Sequence, residues 1–302
     1  MDFPRVLVLG ATGRLGTILR RIWPAGQGLW QGRRAPGEAE PAVWLVCDPL
    51  ADPAALARAA QGCGAVLGLA GVTPTTLPAG ADAAAALAAN VDLGLAAVRA
   101  GAAAGVPVLL ASSAAVYGRQ DGVLAETAPV CPEADYGRAK AEMERRAARL
   151  GAELGVPVTA LRIGNVAGAD AILGRWRPGF ALDRFADGRT PRRSYIGPLG
   201  LAAVLGRLCR IAAARPGDAA LPPLLNISAP GTVEMGALLD AAGLAWTPRP
   251  APAGALPEVA LDVAALQRLC PVAPAGPAEL VAEWRALAQM KADHSPGGAP
   301  RR

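Results

Sequence analysis

The chain has 302 residues, 52% apolar and 18% charged, a composition that suits one large or two modest packed domains and excludes a disordered polymer. Its 30 basic and 25 acidic residues leave a net charge of +5, scattered along the chain and carried almost entirely by arginine, since Lys140 and Lys291 are the only lysines. No basic stripe interleaved with aromatics occurs, so nucleic acid is not an expected partner.

In chain order, the apolar run from Arg5 to Leu9 reads as a buried parallel strand ending in glycine. A helix from about Leu15 to Ile22 follows and stops at Pro24. Leu29–Gln31 and Val43–Val46 read as the second and third strands, with a short helix from Pro53 to Ala60 behind them. Ala65–Leu69 is the fourth strand, and a long helix from Ala81 to Ala104 closes near Gly105. Val106–Leu110 is the fifth strand and runs into Ser112 and Ser113. A charged helix over about Glu133–Leu154 and a sixth strand over Val156–Ile163 complete the regular part. Strands alternating with helices predict an α/β fold with a doubly wound parallel sheet of the Rossmann type.

Beyond Gly164 the pattern loosens, with helices near 199–214, 232–242 and 278–290 and a strand near 224–228. The expected organisation is a dinucleotide-binding unit over 1–165, completed by about 194–228. Residues 166–193 with about 229–290 form a small C-terminal substrate-binding lobe, and 291–302 a disordered tail.

The single histidine, His294, lies in that Pro/Gly-rich tail, which argues against a Ser-His-Asp triad, a His-ligated metal or a histidine base in the core. Cys47, Cys63, Cys131, Cys209 and Cys270 are far apart and form no CxxC, as in a reduced protein without a disulfide framework or zinc site. The N-terminal apolar run breaks at Gly10 and suits neither a signal peptide nor a spanning helix, and the Ala-rich stretches are weakly hydrophobic. A cytoplasmic protein without a membrane partner is expected; a homodimer is left open.

Four features carry chemistry. Gly10-Ala-Thr12-Gly13-Arg14-Leu15-Gly16 joins the first strand to the first helix, where glycines permit a tight turn and close approach of a pyrophosphate to the helix N-terminus. The bland alternative is a glycine turn of any βα unit. After the second strand stands Gln31-Gly32-Arg33-Arg34, with no carboxylate before Glu38 to take the ribose hydroxyls of NAD. Arg33 or Arg34, with or without Arg14, suits a 2′-phosphate, so NADP(H) is preferred and NAD(H) is possible; the alternative is a pair of solvated loop arginines. Tyr136-Gly-Arg-Ala-Lys140 places a phenol and an ammonium one helical turn apart, where the cation lowers the pKa of a phenol otherwise near 10. Ser113, at the C-terminal end of the fifth strand, can hydrogen bond a reacting oxygen.

Together with Leu69-Ala70-Gly71, Asn90, Ser112-Ser113-Ala-Ala-Val-Tyr117-Gly118 and Leu161-Arg-Ile-Gly-Asn165-Val-Ala-Gly168, these motifs occur in an order that resembles the extended short-chain dehydrogenase/reductase family, in particular its NAD-dependent epimerase/dehydratase branch. The resemblance covers about the first 170 residues well. It implies that Tyr136 is the acid/base, that Lys140 lowers its pKa and binds the nicotinamide ribose, and that Ser113 orients the substrate oxygen. It further implies that Asp48 and Ala70-Gly71 line the adenine side, that Asn90 stands behind the site, and that Asn165 and Arg193 face the substrate. Relatives that dehydrate sugar nucleotides carry an Asp-Glu pair after the active-site Ser or Thr; this chain has Ala114-Ala115. The acidic signature after the Arg193 segment is replaced by Gly197-Pro198-Leu199-Gly200, and the short insertion before it makes the lobe small for a nucleotide sugar.

The expected activity is therefore hydride transfer between a nicotinamide and a secondary alcohol or ketone of a sugar-like or small carbonyl substrate. A nucleotide-sugar 4-epimerase with retained NAD and a non-catalytic NADP-binding sensor or assembly protein are the alternatives.

Overall fold

The computed structural model describes residues 3–35, 43–74, 77, 82–214 and 220–293. The first half runs β1 (Val6–Leu9), α1 (Arg14–Ile22), β2 (Gly28–Gly32), β3 (Trp44–Val46), α2 (Pro53–Ala60), β4 (Ala65–Gly68), α3 (Ala83–Ala104) and β5 (Val108–Ser113). A 3₁₀ turn at Ala114–Tyr117 leads to β6 (Val123–Leu124), α4 (Asp135–Leu154), β7 (Val158–Ile163) and β8 (Asn165–Val166). Then come β9 (Ala181–Arg184), β10 (Arg192–Arg193), β11 (Tyr195–Ile196), α5 (Pro198–Ala212) and β12 (Leu224–Ile227). The chain finishes with β13 (Val233–Glu234), α6 (Met235–Ala241), β14 (Thr247–Pro250), β15 (Glu258–Leu261), α7 (Ala264–Leu269) and α8 (Pro277–Asp293).

Seven parallel strands form the central sheet in the order β12-β7-β5-β4-β1-β2-β3. All four residues of β1 are fully buried, as an apolar run covered by helices on both faces must be. Alternation sorts them: Val6 and Val8 pack with Ile18, Leu19 and Trp23 of the α1 side and Leu201, Leu205 and Leu208 of α5. Leu7 and Leu9 pack with Leu56 of α2, Val91 and Leu95 of α3, and Met143 of α4. The sheet is the expected doubly wound one, and strand order reverses between β1 and β4, which opens a crevice at their C-terminal ends. Helix α3 is long and apolar enough to cross a membrane by length and composition, and half of its apolar window is buried inside the protein.

Gly10 has φ +80°, and a Cβ there would lie 2.5 Å from the backbone of Ala70, so the loops after β1 and β4 touch at the mouth of the crevice. Gly16 sits where a Cβ would lie 2.6 Å from both Ala11 Cα and Gly10 O, fixing how closely α1 approaches the turn.

Outside the central sheet the structure departs from the sequence pattern. A four-stranded sheet, β13-β10-β15-β6, and two pairs, β11-β8 and β14-β9, are built largely from two-residue strands. Such strands are too short to show a period of two and owe their conformation to their partners. A third apolar cluster, including Leu173, Leu182, Leu238, Leu239 and Leu280, packs beneath them. The tail expected from 291 is helical through Asp293; its remainder, with His294, lies outside the described residues, as does Glu38.

Replacing Gly16 by Val should overpack the α1–β1 turn and destabilise the fold by about 1–3 kcal/mol, seen as a lower denaturation midpoint.

Candidate active site

A cleft of about 340 Å³ opens at the crevice and joins the glycine turn (Gly13, Arg14, Leu15, Gly16) to Ser113, Tyr136 and Lys140. Gly71, Asn90 and Asn165 line the same cleft. The first turn of α1 faces it without an acidic residue, and Gly13 at the N-cap offers no side chain to the free N–H groups. An uncapped, unopposed helix N-terminus is suited to an anion.

Tyr136 and Lys140 lie on the inner face of α4. Lys140 is 4% exposed; its Nζ donates to Ala111 O at 2.8 Å and lies 4.0 Å from Met143 Sδ. Nζ stands 6.0 Å from the Tyr136 ring centroid. Burial pulls the ammonium down from 10.5 to about 8, against the opposing pull of the Glu144 carboxylate. The Tyr136 phenol is pushed up by burial, while the Ser113 hydroxyl and the Arg14 guanidinium pull it back. Ser113 Oγ also accepts from Ala115 N at 3.2 Å, which starts the 3₁₀ turn directly after the strand.

Behind this face lies a buried polar cluster that motif reading did not single out. Glu144 accepts from Ser112 Oγ at 2.5 Å and from Arg162 Nη2 at 2.7 Å. Arg162 also donates to Glu126 O at 3.1 Å and stacks over Tyr117 at 4.9 Å. The pair cross-links α4 to β5 and β7 immediately beneath the site. The signal was available: Glu144 follows Lys140 by one helical turn and shares its face. Asp170, which lines the cleft, carried no such signal; its Oδ2 accepts from Tyr195 Oη at 2.9 Å, and burial pushes both groups up.

Asn90 is fully buried and holds the loop after β4 by accepting from Val72 N at 3.1 Å and donating to Val72 O at 2.9 Å. Ala70 packs against Gly10, as described. The Gly10 amide is spent on Gln31 Oε1 at 3.0 Å, and Gln31 Nε2 donates to Cys47 O at 2.8 Å. The end of β2 thus presents a neutral, fully used carboxamide. Arg33 and Arg34 follow it exposed to solvent, beside Thr12, whose methyl lies 3.1 Å from a Cβ placed on Gly32. Asp48, after β3, accepts from Leu50 N at 2.9 Å and Ala51 N at 3.3 Å. Thr12, Gln31, Arg33, Arg34 and Asp48 stand toward the β2 end of the crevice and do not line the cleft that holds Tyr136 and Lys140.

A second cavity of about 260 Å³ shares Ser113, Ile163, Gly164 and Asn165 with the first and continues to Arg193, Val259 and Leu261. Arg193 lines it with a half-buried guanidinium that donates to Arg192 O at 2.7 Å and to Leu256 O at 3.2 Å.

The buried ammonium makes a pH-dependent prediction. Between the folded value of about 8 and the ordinary 10.5, the unfolded chain holds this proton and the folded chain does not, so unfolding becomes harder as pH rises through that window. Relative to Lys140→Met, the wild-type protein should gain stability from pH 8 upward, by at most about 3 kcal/mol, in denaturation midpoints taken along a pH series.

The model of the NAD dependent epimerase/dehydratase family matches residues 6–181. No curated protein matches the sequence. Among solved structures, UDP-glucose-4-epimerase from Stenotrophomonas maltophila, with bound NAD and formylated UDP-arabinopyranose, aligns at TM-score 0.72 and 19% identity over 96% of this chain and 99% of that one. The dTDP-glucose 4,6-dehydratase DesIV from Streptomyces venezuelae, with NAD and TYD bound, aligns at 0.71 and 21% identity over 93% and 97%. A short-chain dehydrogenase/reductase superfamily protein from Agrobacterium tumefaciens with bound NAD aligns at 0.72 and 20% over 95% and 98%. The likeness to these structures is one of fold, and the family match spans more than half of the sequence: the chain belongs to the NAD dependent epimerase/dehydratase family.

Proposed function

We propose that the chain is an NADP(H)-linked oxidoreductase acting on a secondary alcohol or ketone, with Tyr136 as its acid/base. The carrying observation is that Ser113, Tyr136 and Lys140 line one cleft with an uncapped, glycine-rich helix N-terminus at its other end. The described residues fit a dinucleotide. The glycine turn and the first N–H groups of α1 would hold the pyrophosphate, Lys140 the nicotinamide ribose, and Asp48 with Ala70-Gly71 would stand on the adenine side. When bound, the nicotinamide supplies or removes a hydride.

Burial keeps the Tyr136 phenol protonated at neutral pH, so it is ready to donate to a carbonyl oxygen as that carbon is reduced. In the oxidative direction the same oxygen takes the alcohol proton, and the Ser113 hydroxyl and the Arg14 guanidinium favour the phenolate. Ser113 Oγ fixes the reacting oxygen between itself and Tyr136. No carboxylate follows Ser113, since Ala114 and Ala115 occupy those positions, and the acid and base needed to eliminate water are missing there.

Preference for NADP(H) over NAD(H) rests on Arg33 and Arg34 at the end of β2 and on the neutral Gln31 beside them. The NAD held by the structural neighbours supports a second reading, a nucleotide-sugar 4-epimerase that recycles a retained NAD. Mass spectrometry of small molecules released on denaturing the purified protein separates the two. An empty site or freely exchanging NADP(H) fits the oxidoreductase; stoichiometric NAD overturns it in favour of the epimerase.

Tyr136→Phe should lower turnover by roughly 10²–10⁴-fold with little change in dinucleotide affinity, and a fully active variant refutes the assignment. The double variant Arg33→Ala/Arg34→Ala should weaken NADPH by roughly 10-fold or more while leaving NADH nearly unchanged, read as a ratio of dissociation constants.

A further inference from the structure

Arg14 is the first residue of α1, yet its side chain leaves the helix and crosses the cleft. One Nη donates to Ala169 O, in the loop after β8, and the other to Thr73 Oγ1 at 3.4 Å, in the loop after β4. Strand order decides what this direction means. The two anchors follow β4 and the β7–β8 segment, on one side of β1, whereas Arg33 and Arg34 follow β2 on the other. Arg14 therefore points away from the place expected for a 2′-phosphate and toward the catalytic residues.

Both anchors are held. Ala169 precedes Asp170, whose Oδ1 accepts from Leu173 N at 3.1 Å and Gly174 N at 3.2 Å and whose Oδ2 accepts from Tyr195 Oη, so the carbonyl sits on a fixed turn. Thr73 follows Val72, whose amide and carbonyl are both bound by Asn90. The guanidinium thus spans two rigid supports above the uncapped N-terminus of α1. An anion at that terminus meets backbone N–H groups on one side and a planar cation on the other, a fork suited to two phosphate oxygens at once.

We propose that Arg14 is a strap across the dinucleotide groove that grips the pyrophosphate from its open side and is not a ligand of the 2′-phosphate. The inference rests on the dinucleotide reading above. On binding, the guanidinium exchanges its bond to Ala169 O for phosphate oxygens while its stem stays over the groove. Retention of the cofactor is then set by a side chain from the glycine turn in addition to the turn's backbone.

The test is calorimetric titration of the full chain with NADPH, ADP-ribose and 2′-AMP, comparing wild type, Arg14→Met and Arg14→Lys after checking each fold by circular dichroism. Arg14→Met should weaken NADPH and ADP-ribose roughly 10–100-fold and leave 2′-AMP, which lacks the pyrophosphate, unchanged. Arg14→Lys should recover part of the loss and the salt dependence that Met removes. Equal NADPH affinity in all three proteins overturns the strap while leaving the dinucleotide reading intact. An equal loss for 2′-AMP overturns it by placing the guanidinium on the 2′-phosphate. Failure of the wild-type protein to bind NADPH, NADH or ADP-ribose overturns the dinucleotide reading and the strap with it.

Discussion

Lys140 carries a cation where water barely reaches, and the part of the molecule around α4, β5 and β7 is arranged to make that tolerable. An isolated buried ammonium is expensive, and here one carbonyl, Ala111 O, accepts from it while the Glu144 carboxylate supplies the opposing field one turn further along α4. Glu144 in turn is held by Arg162 and Ser112, so the cost of the first charge is spread over a cluster that welds α4 to β5 and β7. The weld fixes the helix carrying Tyr136 against the strand carrying Ser113. The placing of Tyr136 against Ser113 and the packing of helix on sheet therefore depend on the same set of bonds.

The opposite wall is built by absence. Glycines at 10 and 16 stand where a Cβ would collide with backbone, and the α1 terminus is left without a capping side chain. Gln31 completes this arrangement by tying Gly10 N to Cys47 O through a neutral amide, so the side chain at the end of β2 itself brings no negative charge to the crevice. The cleft that results is hydrogen-bond-donating at one end and holds Ser113, Tyr136 and Lys140 at the other.

Much of this was legible in the chain because it depends on local spacing. Tyr136 and Lys140 share a helix face by their separation of four, the run Val6–Leu9 is apolar without alternation because both faces are covered, and Gly10 with Gly13 marks the turn between β1 and α1. The direction of the Arg14 side chain was not legible, since it depends on which loops the strand order brings to either side of β1. Nor was the pairing of Asp170 with Tyr195, 25 residues apart and brought together by the β8–β11 ladder, whose strands are too short to read from the chain. The strands β8, β10, β11 and β13 escaped for a related reason: two residues cannot show a period, and their ladders exist only once the partner is in place.

The sheet β13-β10-β15-β6 has a consequence for motion. Its edge strand, β6, leaves the chain between β5 and α4, whereas β10, β13 and β15 come from the C-terminal portion. Asn226, on the last strand of the central sheet, reinforces the join by donating to Leu124 O at 2.8 Å and Asp262 O at 2.9 Å, and it accepts from Tyr117 Oη at 2.7 Å. A rigid-body hinge between the two portions would have to break this ladder and these buried bonds together. Slow jaw-like opening of the cleft between the two portions is thereby disfavoured.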